Sequence, residues 1–128
     1  MTLDVVITLV RETLGLPETE AVRGDQLLFY DLEFTSLDLL DLLYRVEERF
    51  GISIPEGTMY RLARGELDDA AFAQHGHLTP LGRERLMALL ADSPQQIFPD
   101  KIHAQTLPRY CTVAAIARLA EHEAAERR

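Results

Sequence analysis

The chain has 128 residues, 47% apolar and 27% charged, which suits one modest globular core and excludes a disordered tail or a fibre. Twenty-one Asp and Glu against thirteen Lys and Arg leave a net charge of −8, which argues against a protein built to grip nucleic acid phosphates. One cysteine, Cys111, allows no internal disulfide, no apolar run approaches the ~20 residues of a membrane span, and MTLDVVITLVRETLG lacks signal-peptide character, so the expectation is a soluble, cytoplasmic protein with no stable membrane insertion.

Leu3, Val6, Ile7, Val10 and Leu14 recur at helical spacing and predict a first helix, with Thr2 as its cap and Gly15 and Pro17 at its end. Residues 16–35 read as a long connection, tacked to the core by Leu27, Leu28, Phe29 and Leu32. The clearest element follows, TSLDLLDLLYRVEERFG. Thr35 and Asp38 have capping-box spacing, Leu39, Leu42, Leu43, Val46 and Phe50 form one stripe, and Gly51 can close the helix in the left-handed conformation. Ile52 and Ile54 anchor the chain before Pro55.

Residues 58–77 are weakly periodic. A further helix is predicted from Thr79, with Pro80 in its first turn, Leu86, Met87, Leu89 and Leu90 as its apolar positions, and Gly82 as a weak point. Residues 93–111 read as an irregular loop, and a last helix from Thr112 uses Val113, Ile116, Ala117 and Ala120 before the tail EHEAAERR frays. Strand signal is weak throughout.

The second helix has a surplus apolar face. At about 100° per residue, Leu37, Leu40 and Tyr44 lie together, away from the core stripe. Asp41 and Glu48 share that side, and Asp38 and Glu47 border it. An apolar patch ringed by carboxylates suits docking of basic partners; burial beneath another segment of the chain is the competing reading. Ser36 stands at the first turn, where free N–H groups and the helix dipole favour a phosphate; a simple capping role is the alternative.

The stretch LLFYDLEFTSLDLLDLLYRVEERFGISIPEG resembles the acyl carrier protein family. Asp31-Leu32, Ser36-Leu37, Glu47-Glu48, Phe50-Gly51, Ile52, Ile54, Pro55 and Glu56 carry the resemblance, and Thr112-Val113 with Ile116 extends it to the last helix. It implies an all-α, acyl-carrier-like helical bundle with an inserted helical segment between the second and last helices. The carrier frame would be residues 1–57 and 111–128 and the insertion residues 58–110, within a single domain.

The resemblance further implies a phosphopantetheine arm on Ser36, attached by a phosphopantetheinyl transferase from coenzyme A with Mg²⁺, and no enzymatic activity of the chain's own. The arm would hold an acyl thioester for acyl-transferring or synthase enzymes with basic docking patches, in a specialised fatty-acid, lipid or polyketide pathway. Leu37, Asp38, Leu40, Asp41, Tyr44, Glu47 and Glu48 would receive those partners. An aminoacyl or peptidyl carrier, or a carrier-fold interaction module without the arm, are the alternatives. Two features depart from the family pattern. Thr35 stands where aspartate usually precedes the serine, and Glu33-Phe34 stands in a turn that often contains glycine. The insertion would enclose a special acyl group or bind a dedicated partner; a tolerated surface elaboration with a small core of its own is the alternative.

Other signals are weaker. His75 and His77 lie near Asp68 and Asp69 but lack a second tight pair, so a solvated loop is expected rather than a metal site. Cys111 near His103 reads as a buried small hydrophobe rather than a nucleophile. None of Ser36, Ser53 and Ser93 lies in a G-x-S-x-G elbow.

Overall fold

The two long helices of the first half end by the same device. In the computed structural model, which describes residues 2–126, α1 (Thr2–Leu14) is followed by Gly15 at φ 68° and α2 (Ser36–Phe50) by Gly51 at φ 64°. The Leu16 N–H donates to the Arg11 carbonyl at 2.9 Å, and the Ile52 N–H to the Glu47 carbonyl at 3.1 Å. These are Schellman-type closures, in which a left-handed residue turns the chain back onto carbonyls the helix leaves unpaired. Thr2 lies inside α1 rather than capping it.

The chain divides into two compact units, residues 1–54 with 112–128 and residues 55–111. In the first unit α1, α2 and α6 (Val113–Glu126) pack against one another. Val6, Val10, Leu42, Val46, Val113 and Ile116 are no more than 1% exposed. Each such aliphatic side chain contributes about 1.5–3 kcal/mol on burial. Leu9 is buried as well, so the core stripe of α1 is wider than the spacing from Leu3 suggests.

The connection between α1 and α2 caps α6. The N–H groups of Val113 and Ala114 donate to the carbonyls of Gln26 and Gly24 at 3.0 and 2.9 Å. Ala115 N–H donates to Thr112 Oγ1 at 3.1 Å, and Thr112 pairs with Leu27 in an isolated antiparallel bridge. Three first-turn amides are thus satisfied by the loop and the cap residue. The helix then runs to Glu126, where fraying from Glu121 onward was expected; Met1, Arg127 and Arg128 lie outside the described residues.

The second unit holds α3 (Thr58–Arg64), α4 (Asp69–Phe72), a hairpin of β1 (Ala73–Gln74) and β2 (His77–Leu78), α5 (Pro80–Leu89), and two 3-10 turns at Gln95–Ile97 and Leu107–Tyr110. Its buried residues include Phe72, Leu86, Leu90, Phe98, Ile102, Leu107 and Tyr110. The segment is mainly helical, as expected, with one short hairpin set among its helices. Two residues with positive φ, His75 at 54° and Gly76 at 82°, form its turn, the backbone a two-residue type I′ connection requires. Thr79 caps α5 by accepting the Gly82 N–H at 3.0 Å. Gly82 is a requirement rather than a weak point, since a Cβ there would collide with the Phe72 carbonyl.

Candidate functional site

The segment before α2 is held by its own backbone. The Asp31 carboxylate accepts the Leu27 N–H at 2.7 Å, while the N–H groups of Asp31 and Leu32 return to the Leu27 carbonyl, each at 3.0 Å. Glu33 then takes φ 56°, and Phe34 turns inward to 5% exposure with its N–H on the Leu28 carbonyl. Burying Phe34 brings the following residues to the surface at the start of α2.

There the sequence builds a complete capping box. Thr35 Oγ1 accepts the Asp38 N–H at 3.2 Å, and Asp38 Oδ2 accepts the Thr35 N–H at 2.9 Å and its hydroxyl at 3.0 Å. Thr35 is therefore the cap, and Ser36 is the exposed first residue of the helix. The amides of Ser36 and Leu37 have no intrahelical carbonyl to bond, and the positive end of the helix dipole falls beside the Ser36 hydroxyl. An oxygen so placed can form a phosphodiester whose charge the helix end tolerates. Ser53 is exposed too but lies in coil, and Ser93 is buried, donating to the Tyr110 carbonyl at 2.6 Å.

Leu37, Leu40 and Tyr44 are 76%, 63% and 59% exposed, so α2 presents three large apolar side chains along one face running from Ser36. The carboxylates around them differ in how free they are. Asp38 is committed to the cap. Asp41 bonds Arg45 at 3.2 Å, and Arg45 reaches Glu12 at 3.5 Å. Glu47 Oε2 accepts the Ile54 N–H at 2.7 Å. Glu48 is exposed on the apolar face, and its hydrogen bond to the Tyr44 hydroxyl, followed by its charge, raises the phenol above its ordinary pKa. The sequence did not disclose that Asp31 and Glu47 act as backbone acceptors; for Asp31 the spacing of four residues from Leu27 within a turn is the available signal.

The remaining polar candidates sort as follows. Cys111 is fully buried. His77 meets His103 rather than the Asp68–Asp69 pair, with ring centroids 4.3 Å apart. Among the described residues no group of three His, Cys, Asp or Glu is placed to hold a metal ion, and no helix is long and apolar enough to cross a membrane.

Residues 4–64 match the family model described as a phosphopantetheine attachment site. The match spans α1, α2 and α3 and does not include α6. No curated protein and no solved structure matches the chain. Carrier domains of this kind hold phosphopantetheine covalently on a serine and work with enzymes such as synthases and transferases. Residues 4–64, just under half of the chain, are thus similar to the phosphopantetheine-attachment family, a match that supports a phosphopantetheine-carrying carrier protein.

Proposed function

We propose that Ser36 is the attachment serine and that the arm it bears delivers an acyl group, as a thioester, to partner enzymes of a specialised fatty-acid, lipid or polyketide pathway. The observation that carries this reading is the exposed Ser36 hydroxyl at the first turn of a fully capped α2. A phosphopantetheinyl transferase would use coenzyme A and Mg²⁺. The Ser36 oxygen attacks the pyrophosphate of coenzyme A, the phosphopantetheinyl phosphodiester forms, and adenosine bisphosphate leaves. Chemistry on the cargo then belongs to the partners, so the chain itself needs no catalytic group.

Leu37, Leu40 and Tyr44 supply the apolar centre of the docking face and Glu48 an exposed carboxylate beside it. Asp38, Asp41 and Glu47 add negative potential while holding the helix, its neighbour and its exit. Such a face steers basic partners and releases them readily, since rim charges act mostly on association rate. Residues 58–110 are read as enclosing a special acyl group or binding a dedicated partner; a core of their own around Phe72 and Leu86 would equally suit a tolerated surface elaboration.

Incubation with coenzyme A, Mg²⁺ and a broad-specificity transferase, followed by intact-mass measurement, tests the assignment. One phosphopantetheine is gained, the gain disappears in Ser36→Ala, and it persists in Ser53→Ala. A gain that survives Ser36→Ala overturns it. The mass of cargo trapped on the arm separates an acyl group from an amino acid.

A further inference from the structure

The second unit joins two histidines that lie far apart in sequence. His77, in β2, pairs with His103 in an isolated antiparallel bridge. The flanking bonds run from the Leu78 N–H to the Ile102 carbonyl at 2.8 Å and from the Ala104 N–H to the Gly76 carbonyl at 3.0 Å. His77 and His103 exchange no backbone bond themselves, so they occupy a non-hydrogen-bonded position of the ladder. Opposed side chains approach closest there, with Cα atoms about 4.5 Å apart. Their rings lie 4.3 Å apart and are tilted by 42°.

The protonation of one ring is set by its neighbour. His77 Nδ1 lies 3.2 Å from the His75 carbonyl oxygen, and a carbonyl only accepts, so in this contact Nδ1 carries the proton. The lone pair of the neutral imidazole is then on Nε2. A backbone carbonyl that fixes the tautomer in this way is the usual support of a metal-binding histidine. The left-handed turn at His75 and Gly76 places that carbonyl.

We propose that His77 and His103 chelate one divalent transition-metal ion of the copper, nickel or zinc type. Two neutral imidazoles on adjacent strands supply nitrogen ligands suited to these ions, with Cu²⁺ bound most tightly. No third protein ligand stands ready among the described residues, so water completes the shell. The ion would clamp β2 to residues 102–104. The site is independent of Ser36 and of the arm.

Titration of the full chain with Cu²⁺ alone, read by electron paramagnetic resonance, tests the proposal. One ion binds per chain with hyperfine structure from two imidazole nitrogens. His77→Asn and His103→Asn each weaken binding at least ~10-fold. His122→Asn leaves affinity unchanged, because His122 lies on α6 in the other unit. Undiminished uptake in both variants, or a signal from a single imidazole in the unaltered chain, overturns the proposal. The latter reading does not depend on any variant folding.

Discussion

Glu47 Oε2 accepts the Ile54 N–H at 2.7 Å, so a carboxylate in the last part of α2 holds the chain after it has reversed at Gly51. A half-buried charged acceptor of this kind contributes about 1–2 kcal/mol. Glu47→Ala should lower the unfolding free energy from urea titration by that amount, and Glu47→Gln should recover most of it. Unchanged stability in Glu47→Ala would return Glu47 to a purely partner-facing role.

Glu33 adopts φ 56°, a conformation that costs an L-residue about 1–2 kcal/mol and glycine almost nothing. Glu33→Gly should therefore raise the melting temperature, corresponding to about 1 kcal/mol after the extra unfolded-state freedom of glycine is subtracted. Phosphopantetheinylation of Ser36 should be unaffected, since the capping box does not involve Glu33.

Leu37 and Leu40 are more than 60% exposed and lie outside the core. Leu37→Ser and Leu40→Ser should each shift stability by less than ~0.5 kcal/mol, as surface changes do. Each should nevertheless slow modification by the transferase about tenfold, the effect of losing roughly 1.4 kcal/mol of apolar contact. A matched fall in stability would place these side chains in the fold instead.

Gly82 is buried and faces the Phe72 backbone, which cannot swing aside as a side chain can. Gly82→Ala should destabilise residues 55–111 by about 3 kcal/mol or more, at or beyond the upper range of ordinary overpacking. Limited proteolysis should then cut within that segment, while the unaltered chain resists under the same conditions.

Two titrations act at opposite ends of the pH scale. Tyr44 has a folded pKa raised by its hydrogen bond to Glu48, so its contribution is present below the ordinary value of 10.0 and is lost as pH rises through the higher folded value. Asp69 has a folded pKa lowered by its hydrogen bond to Arg64, so its contribution is present above 3.8 and is lost as pH falls through the lower folded value. Glu48→Gln should move the Tyr44 titration, followed by ultraviolet absorbance, toward lower pH. Arg64→Met should move the Asp69 carboxyl resonance titration upward.

What could be read in the sequence was local. The glycines ending α1 and α2, the Thr35–Asp38 box, and the stripe of Leu42 and Val46 depend on residues within a turn or two of each other, and periodicity reports them. The exposed face of Leu37, Leu40 and Tyr44 was visible for the same reason, as a helical stripe left over once the core stripe was assigned. The hairpin was not visible, because strands of two residues are too short to alternate and only the His75-Gly76 turn marks them. The Glu47–Ile54 bond exists only after the chain reverses at Gly51. The meeting of His77 with His103 depends on tertiary closure across residues of no shared period. Gly82 read as a helix weakness because propensity carries no knowledge of the Phe72 carbonyl pressed against it.

The capping of α6 by the carbonyls of Gly24 and Gln26 joins the beginning of the chain to its end. Residues 55–111 are continuous and leave the ribosome complete, whereas α1 and α2 must wait for Val113 and the residues that follow. During synthesis residues 55–111 can therefore complete their own contacts before α1 and α2 can close on α6. A nascent chain stalled before Thr112 would hold α1 and α2 without the third helix they pack against.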